Sequence, residues 1–302
     1  MKRIFLLIAT NMAVLLVFSV AWSILDSIFG ISEMLVGMGM PVQFGSIAVM
    51  ALVFGFGGAL ISLLMSKGMA KRSMGVQVIE QPATSQERWL IETVARQAEQ
   101  AGIGMPEVGI FHSPEPNAFA TGAKKNDALV AVSQGLLDHM TQDEVEAVLG
   151  HEIAHVANGD MVTQTLIQGV LNTFVIVLSR IIGHAIDSFL NRGNENSSGF
   201  GIGYFVSTII LDMLFGLVAS MIVMWHSRHR EFHADKGGAE LAGREKMIAA
   251  LQRLQQVNQP HDLPGEMAAF GIAGGVKAGF SKLMMTHPPL EQRISALKNR
   301  EY

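Results

Sequence analysis

Four apolar stretches constrain this chain more than anything else in it: residues 4–25, 44–65, 161–186 and 200–225 carry almost no charge. At 1.5 Å per helical residue, each is long enough to cross a bilayer core of about 30 Å. In lipid a backbone must satisfy its own hydrogen bonds, so such stretches become helices. The composition agrees, because 49% of the 302 residues are hydrophobic and 16% charged, against about 25% charged in a soluble domain. The expected fold is a mainly α membrane protein with four transmembrane helices in two hairpins, 1–66 and 161–226. Two polar parts remain, 67–160 and 227–302.

Basic residues set the orientation. Lys2 and Arg3 precede the first span, Lys67, Lys71 and Arg72 follow the second, and Arg228 and Arg230 follow the fourth. The connection at 26–43 has Asp26 and Glu33 but neither Lys nor Arg. Positive charge stays inside, so both termini and both polar parts are expected on the cytoplasmic side. Ala51, Gly55 and Ala59 give the second span a smooth strip for close helix contact. Gln164, Gln168 and Asn172 make one face of the third span polar, and Asp212 interrupts the fourth. Polar groups at that depth face protein or water, either as interhelical hydrogen bonds or as a hydrated cavity. Without cysteine there is no disulfide and no thiolate, so a metal would need His, Asp or Glu. A net charge of −4 with no long basic run excludes a nucleic-acid partner.

The polar parts read as a small α+β unit. Thr84-Ser85-Gln86-Glu87 is a capping box, and Leu90, Ile91, Val94 and Ala98 keep helical period up to Gly102. Short β-like runs follow at Glu107 to His112, Asn117 to Thr121 and Ala128 to Ser133. Thr141-Gln142-Asp143-Glu144 opens a second helix. Beyond the fourth span, helical patterns run from Glu231 to Leu241 and from Arg244 to Val257. A loop at 258–265, a Gly-rich segment around 271–279 and a charged helix at Leu290 to Asn299 complete the chain.

The helix opened by Thr141 carries His151-Glu152-Ile153-Ala154-His155. Two histidines four apart share a helix face and can grip one Zn²⁺, with Glu152 beside them as general base for amide hydrolysis. A catalytic zinc takes three protein ligands, so a third is required. Glu231-Phe232-His233-Ala234-Asp235 returns to the same side of the membrane after the fourth span. Glu231 is preferred as the ligand, with His233 or a more distant histidine as alternatives. Asp235, on the same face, suits an orienting role for a ligand imidazole. Thr286-His287-Pro288-Pro289, with Arg293 beyond it, offers a histidine fixed by prolines, although a loop histidine before proline is more often merely exposed.

Taken together, the apolar hairpin, Asn117-Ala118-Phe119-Ala120-Thr121-Gly122, His151 to Asp160, Arg228 to Asp235 and Thr286 to Pro289 resemble the HtpX-type membrane zinc metalloproteases, bacterial relatives of the CAAX-prenyl endopeptidases. The likeness spans essentially the whole chain. It implies a zincin-like (gluzincin) cytoplasmic metallopeptidase domain, with one Zn²⁺ per chain held by His151, His155 and Glu231. It also implies Glu152 as base, Asp235 behind the ligands, His287 at the transition state with Arg293 supporting it, and Asn117, Ala118, Phe119, Ala120 and Thr121 as the edge strand that receives substrate. The resemblance implies a multi-pass protein of the bacterial inner membrane, acting on unfolded or membrane-protein polypeptides in stress-linked quality control, with other membrane proteases as candidate partners.

Two other classes of protein share parts of this pattern. In an intramembrane-cleaving protease the H-E-x-x-H helix lies in the bilayer, whereas here Gln142, Asp143, Glu144, Glu146 and Asp160 bracket it. A metal-stabilised scaffold without activity would have no use for Glu152.

Overall fold

The computed structural model of the chain describes residues 42–190, 201–257 and 287–300, together with Ser23, Asp26, Ser27, Ile28, Gly30 and Glu33. Apart from Ser23, the first expected span lies outside the described residues, as do the loop at 258–265 and the Gly-rich segment. Within them the protein is mostly helical. Among the described residues, three helices have the length and composition to cross a membrane: α1 (Val42–Ser73), α5 (Asp160–Leu190) and α6 (Ile202–Ala242).

The helix α6 corrects one expectation. The fourth span and the pattern at Glu231 to Leu241 are a single helix. No glycine or proline separates Trp225 from Glu231, Arg favours a helix, and Ser227 and the two histidines tolerate one, so nothing stops it. The residue expected as third ligand therefore stands on the same rod as the membrane span.

The chain divides into two compact units, Met1–Ala59 with Gln168–Leu217, and Leu60–Ile167 with Val218–Tyr302. In the first, α1 and α5 approach closely. A methyl group on Gly55 would lie 2.3 Å from Thr173 Oγ1, and one on Gly169 would lie 2.9 Å from Phe56 Cδ1. Thr173 Oγ1 donates to the carbonyl of Ala51 at 3.2 Å, so the smooth strip read from the sequence is a helix contact. Asp212 is paired between helices, accepting from Arg180 Nη1 at 2.9 Å and from the Ser179 hydroxyl. Gln168 instead donates to Asn172 along its own helix at 2.7 Å.

The second unit holds a four-stranded sheet in the order β1-β2-β4-β3. The strands are β1 (Gln77–Val78), β2 (Glu107–Phe111), β3 (Ala118–Lys124) and β4 (Asp127–Ser133). β2 and β4 are parallel, the other pairs antiparallel. Three of these strands were expected; β1, two residues long, has too little sequence to show a period. Around the sheet lie α2 (Ser85–Gln100), α3 (Gln134–His139), α4 (Gln142–Asn158), α7 (Arg244–Val257) and α8 (Leu290–Asn299). Both expected capping boxes form, at Thr84 with Glu87 and at Thr141 with Glu144.

The motif helix α4 is the centre of this unit, touching α2, β3, β4 and α7. Leu149 and Ile153 on it are fully buried, packed with Leu90, Val130, Val132, Met247 and Leu251 in one core. Lys246 on α7 bonds Asp143 at 2.7 Å and Glu146 at 2.6 Å, and Gln97 on α2 donates to the carbonyl of Glu146 at 2.8 Å. At the foot of α1, Lys67 pairs with Glu107 at 3.0 Å, and Lys71 also reaches Glu107. The basic residues at the end of α1 thus also bond the sheet.

A candidate metal centre

The site forms where α6 crosses α4 with almost no side chain between them. A methyl group on Gly237 would lie 2.5 Å from Ala154 Cβ, and one on Gly238 would lie 3.0 Å from the amide nitrogen of His151. This close approach sets Glu231, 3% exposed, against the two histidines. His155 Nε2 stands 3.1 Å from His151 Nε2 and 3.3 Å from Glu231 Oε1, and His151 Nε2 stands 3.6 Å from Glu231 Oε2. One donor atom from each of the three lies within 4.8 Å of the others, the spread of a set that could hold one metal ion.

Behind the triad is a ring of charge. Asp235 Oδ1 is 3.0 Å from His151 Nδ1. Arg293 on α8 grips the same carboxylate with two bonds, Nε to Oδ2 at 2.7 Å and Nη2 to Oδ1 at 2.5 Å, and its Nη1 lies 3.0 Å from Glu231 Oε2. At 6% exposure that guanidinium is committed to the two carboxylates. Its supporting role is therefore to hold Asp235 and Glu231. His287, with a side chain 62% exposed, sits in front, its Nδ1 2.8 Å from Glu231 Oε2. Burial opposes charge on His155, but bonds to Asp160 and Glu231 and the nearby Glu152 override it and push its pKa up to about 10. Such a field favours any cation placed between these groups.

A cavity of about 410 Å³ opens beside the triad and is bordered by Glu152. Leu136, Val148, Met247 and Leu251 give it apolar walls, and Asn117 and Ala118 reach its rim. Of the expected substrate strand, only these two border the cavity. Phe119, Ala120 and Thr121 continue along β3, an edge strand that pairs with β4 alone among the described residues.

The sequence reading brought together His151, Glu152, His155, Glu231, Asp235, His287 and Arg293, and the fold places all seven at one site. His233, the alternative ligand, turns instead toward its own helix, its Nδ1 3.0 Å from the carbonyl of His229. Two charged groups at the site were not expected there. Asp160 Oδ2 lies 2.7 Å from His155 Nδ1, and Arg230 bonds the other oxygen of Asp160. The available signal was an acid directly after Gly159, the residue that stops the motif helix.

An H-E-x-x-H helix whose histidines meet a glutamate from a membrane-length helix has the features of a membrane metalloprotease. Comparison with known proteins agrees: the Peptidase family M48 profile matches residues 84–301, and the chain belongs to that family. It is 58% identical to Protease HtpX of Thioalkalivibrio sulfidiphilus over 298 residues, 99% of either chain. It is 59% identical to the Protease HtpX homolog of Thiobacillus denitrificans over 298 residues, again 99% of both. The expected HtpX-type resemblance is borne out, and the protein is a membrane metalloprotease. The crystal structure of S. mikatae Ste24p matches with a TM-score of 0.60 at 18% identity, covering 97% of this chain and 66% of that one. At that identity the likeness is one of fold.

Proposed function

We propose that this protein is a zinc-dependent endopeptidase of the bacterial inner membrane, with its active site facing the cytoplasm. Its substrates would be misfolded or damaged membrane proteins. The observation that carries the reading is the convergence of His151, His155 and Glu231 within 4.8 Å, with Glu152 beside them on the cavity wall. Two imidazole nitrogens and one carboxylate oxygen, without thiolate, form a donor set that fits catalytic zinc. Asp235, bonded to His151 Nδ1 at 3.0 Å, fixes that ring with its Nε2 lone pair toward the cluster. When bound, zinc supplies Lewis acidity, polarising a carbonyl and making water acidic near neutral pH.

The protein's own groups then perform the proton transfers and positioning. Glu152 accepts a proton from the attacking water as its oxygen adds to the peptide carbonyl carbon, and delivers it to the amide nitrogen as the C–N bond breaks. His287, exposed at the front of the site, donates to the oxyanion that develops in the tetrahedral state. An extended substrate adds to the edge of β3 that is unpaired among the described residues, its backbone held by main-chain bonds while one side chain enters the apolar cavity. The acids at the start of α4, with Asp143 exposed to solvent, favour peptide that has left the bilayer over a peptide cut within it.

The test is Glu152→Gln in purified protein. The variant should keep a full complement of zinc and lose about 10²- to 10⁴-fold in cleavage of an unfolded polypeptide. Undiminished cleavage would overturn the mechanism, and wild-type protein without zinc would overturn the metal.

A further inference from the structure

Asp235 accounts for the orientation of His151 and leaves the second histidine unexplained. The Nε2 atom of His155 faces the cluster, 3.1 Å from His151 Nε2 and 3.3 Å from Glu231 Oε1. To present a lone pair there, the ring must carry its proton on Nδ1. Among the described residues, the side-chain partner of that Nδ1 is Asp160 Oδ2 at 2.7 Å.

Along an unbroken helix, a residue five positions beyond His155 would be turned about 140° away from it. The chain avoids this at Gly159. With φ +71, Gly159 takes the left-handed conformation, its amide closing onto the carbonyls of His155 and Val156. The turn ends α4 and starts α5 in a new direction, bringing Asp160 back to the ring. Asp160 is 7% exposed, and its second oxygen is taken by Arg230, which immediately precedes Glu231 on α6. The carboxylate is therefore anchored on both sides and is not free to swing inward as a competing ligand.

We propose that Asp160 is the positioning residue of the metal ligand His155 and that Arg230 holds Asp160 in place. The inference rests on the reading of the triad as a metal centre. Its consequence is that two of the three ligands are oriented from the first residue of α5 and from α6, so the geometry of the site depends on the junctions that lead into the membrane helices.

The test uses full-length protein in mild detergent, stripped of metal and titrated with Zn²⁺ against a chelating dye. Asp160→Ala should bind zinc about 10- to 100-fold more weakly while still filling one site. Arg230→Ala should lose less, and the double variant should match Asp160→Ala alone, because Arg230 acts through Asp160. Asp160→Asn keeps an acceptor for Nδ1–H in the same shape and should recover part of the affinity, while its metal-free form, which has lost the ion pair to Arg230, still melts in one cooperative transition. That cooperative melt separates positioning from folding, and if Asp160→Ala does not fold, Asp160→Asn and Arg230→Ala carry the test. Wild-type affinity in both of those variants, or losses that simply add in the double variant, would overturn the proposal. A wild-type protein that binds no zinc would overturn the metal-centre reading itself.

Discussion

Replacing Arg293 by alanine should separate the stability of the second unit from its chemistry. The side chain is 6% exposed. It makes two bonds to Asp235, at 2.7 and 2.5 Å, and a third contact to Glu231 at 3.0 Å. Removing it leaves two buried carboxylates, one turn apart on α6, without their cation. Breaking a buried pair by deleting one partner costs about 3–5 kcal/mol. His151 remains bonded to Asp235 at 3.0 Å and keeps that carboxylate partly satisfied, which argues for the lower end, about 3 kcal/mol in metal-free protein. The loss should shrink when zinc is added, because Glu231, one of the residues that would hold the ion, would gain a counter-charge. Arg293→Lys keeps the charge but cannot bridge both carboxylates, and should lose about half as much. The assay is chemical denaturation of metal-free protein in mild detergent, followed through Trp89, which packs on the core of this unit. A loss below about 1 kcal/mol, the value of an exposed pair, would refute the claim that this guanidinium holds the ring together.

Three further outcomes follow from the same geometry. Gly237→Ala puts a methyl group 2.5 Å from Ala154 Cβ. Overpacking of about 1–3 kcal/mol should outweigh the helix-propensity gain of about 1 kcal/mol, and zinc affinity should fall as α6 is pushed from α4; unchanged affinity would contradict the close crossing. His155 has its pKa raised from 6.5 to about 10 in metal-free protein, so its contribution to stability is complete below pH 6.5 and is lost as pH rises toward 10. Melting of the chelator-treated protein should show this decline, while zinc affinity, which requires the ring to lose that proton, should rise over the same range. In β3, the pairing of Ser133 N with the Asn117 carbonyl means, by the alternation of an antiparallel ladder, that Ala120 points its N–H outward. Ala120→Pro should therefore leave the sheet intact and raise KM by about 2- to 10-fold, the worth of one hydrogen bond; an unchanged KM would argue against substrate addition at this edge.

Much of the protein was legible from sequence because the relevant signals are local. The second, third and fourth spans follow from long apolar runs with almost no charge, α2 and α4 from capping boxes and helical period, and the histidine pair from residues four apart on one helix. Where local rules were all there was, they also misled: Ser227 to Arg230 looks like the polar end of a span, yet its residues tolerate a helix and α6 runs straight through.

By itself, the sequence determined the membrane class, the motif helix and, through its family resemblance, the candidate ligand set. Tertiary structure decided what surrounds those ligands. Arg293 as a buried clamp, Gly237 and Gly238 as the crossing that delivers Glu231, and Asp160 returned to His155 by the turn at Gly159 all depend on the path of the backbone between elements. Residue type and spacing set the local conformation of a helix or strand. Which charges meet in a low-dielectric interior is set by elements that pack together from distant parts of the chain.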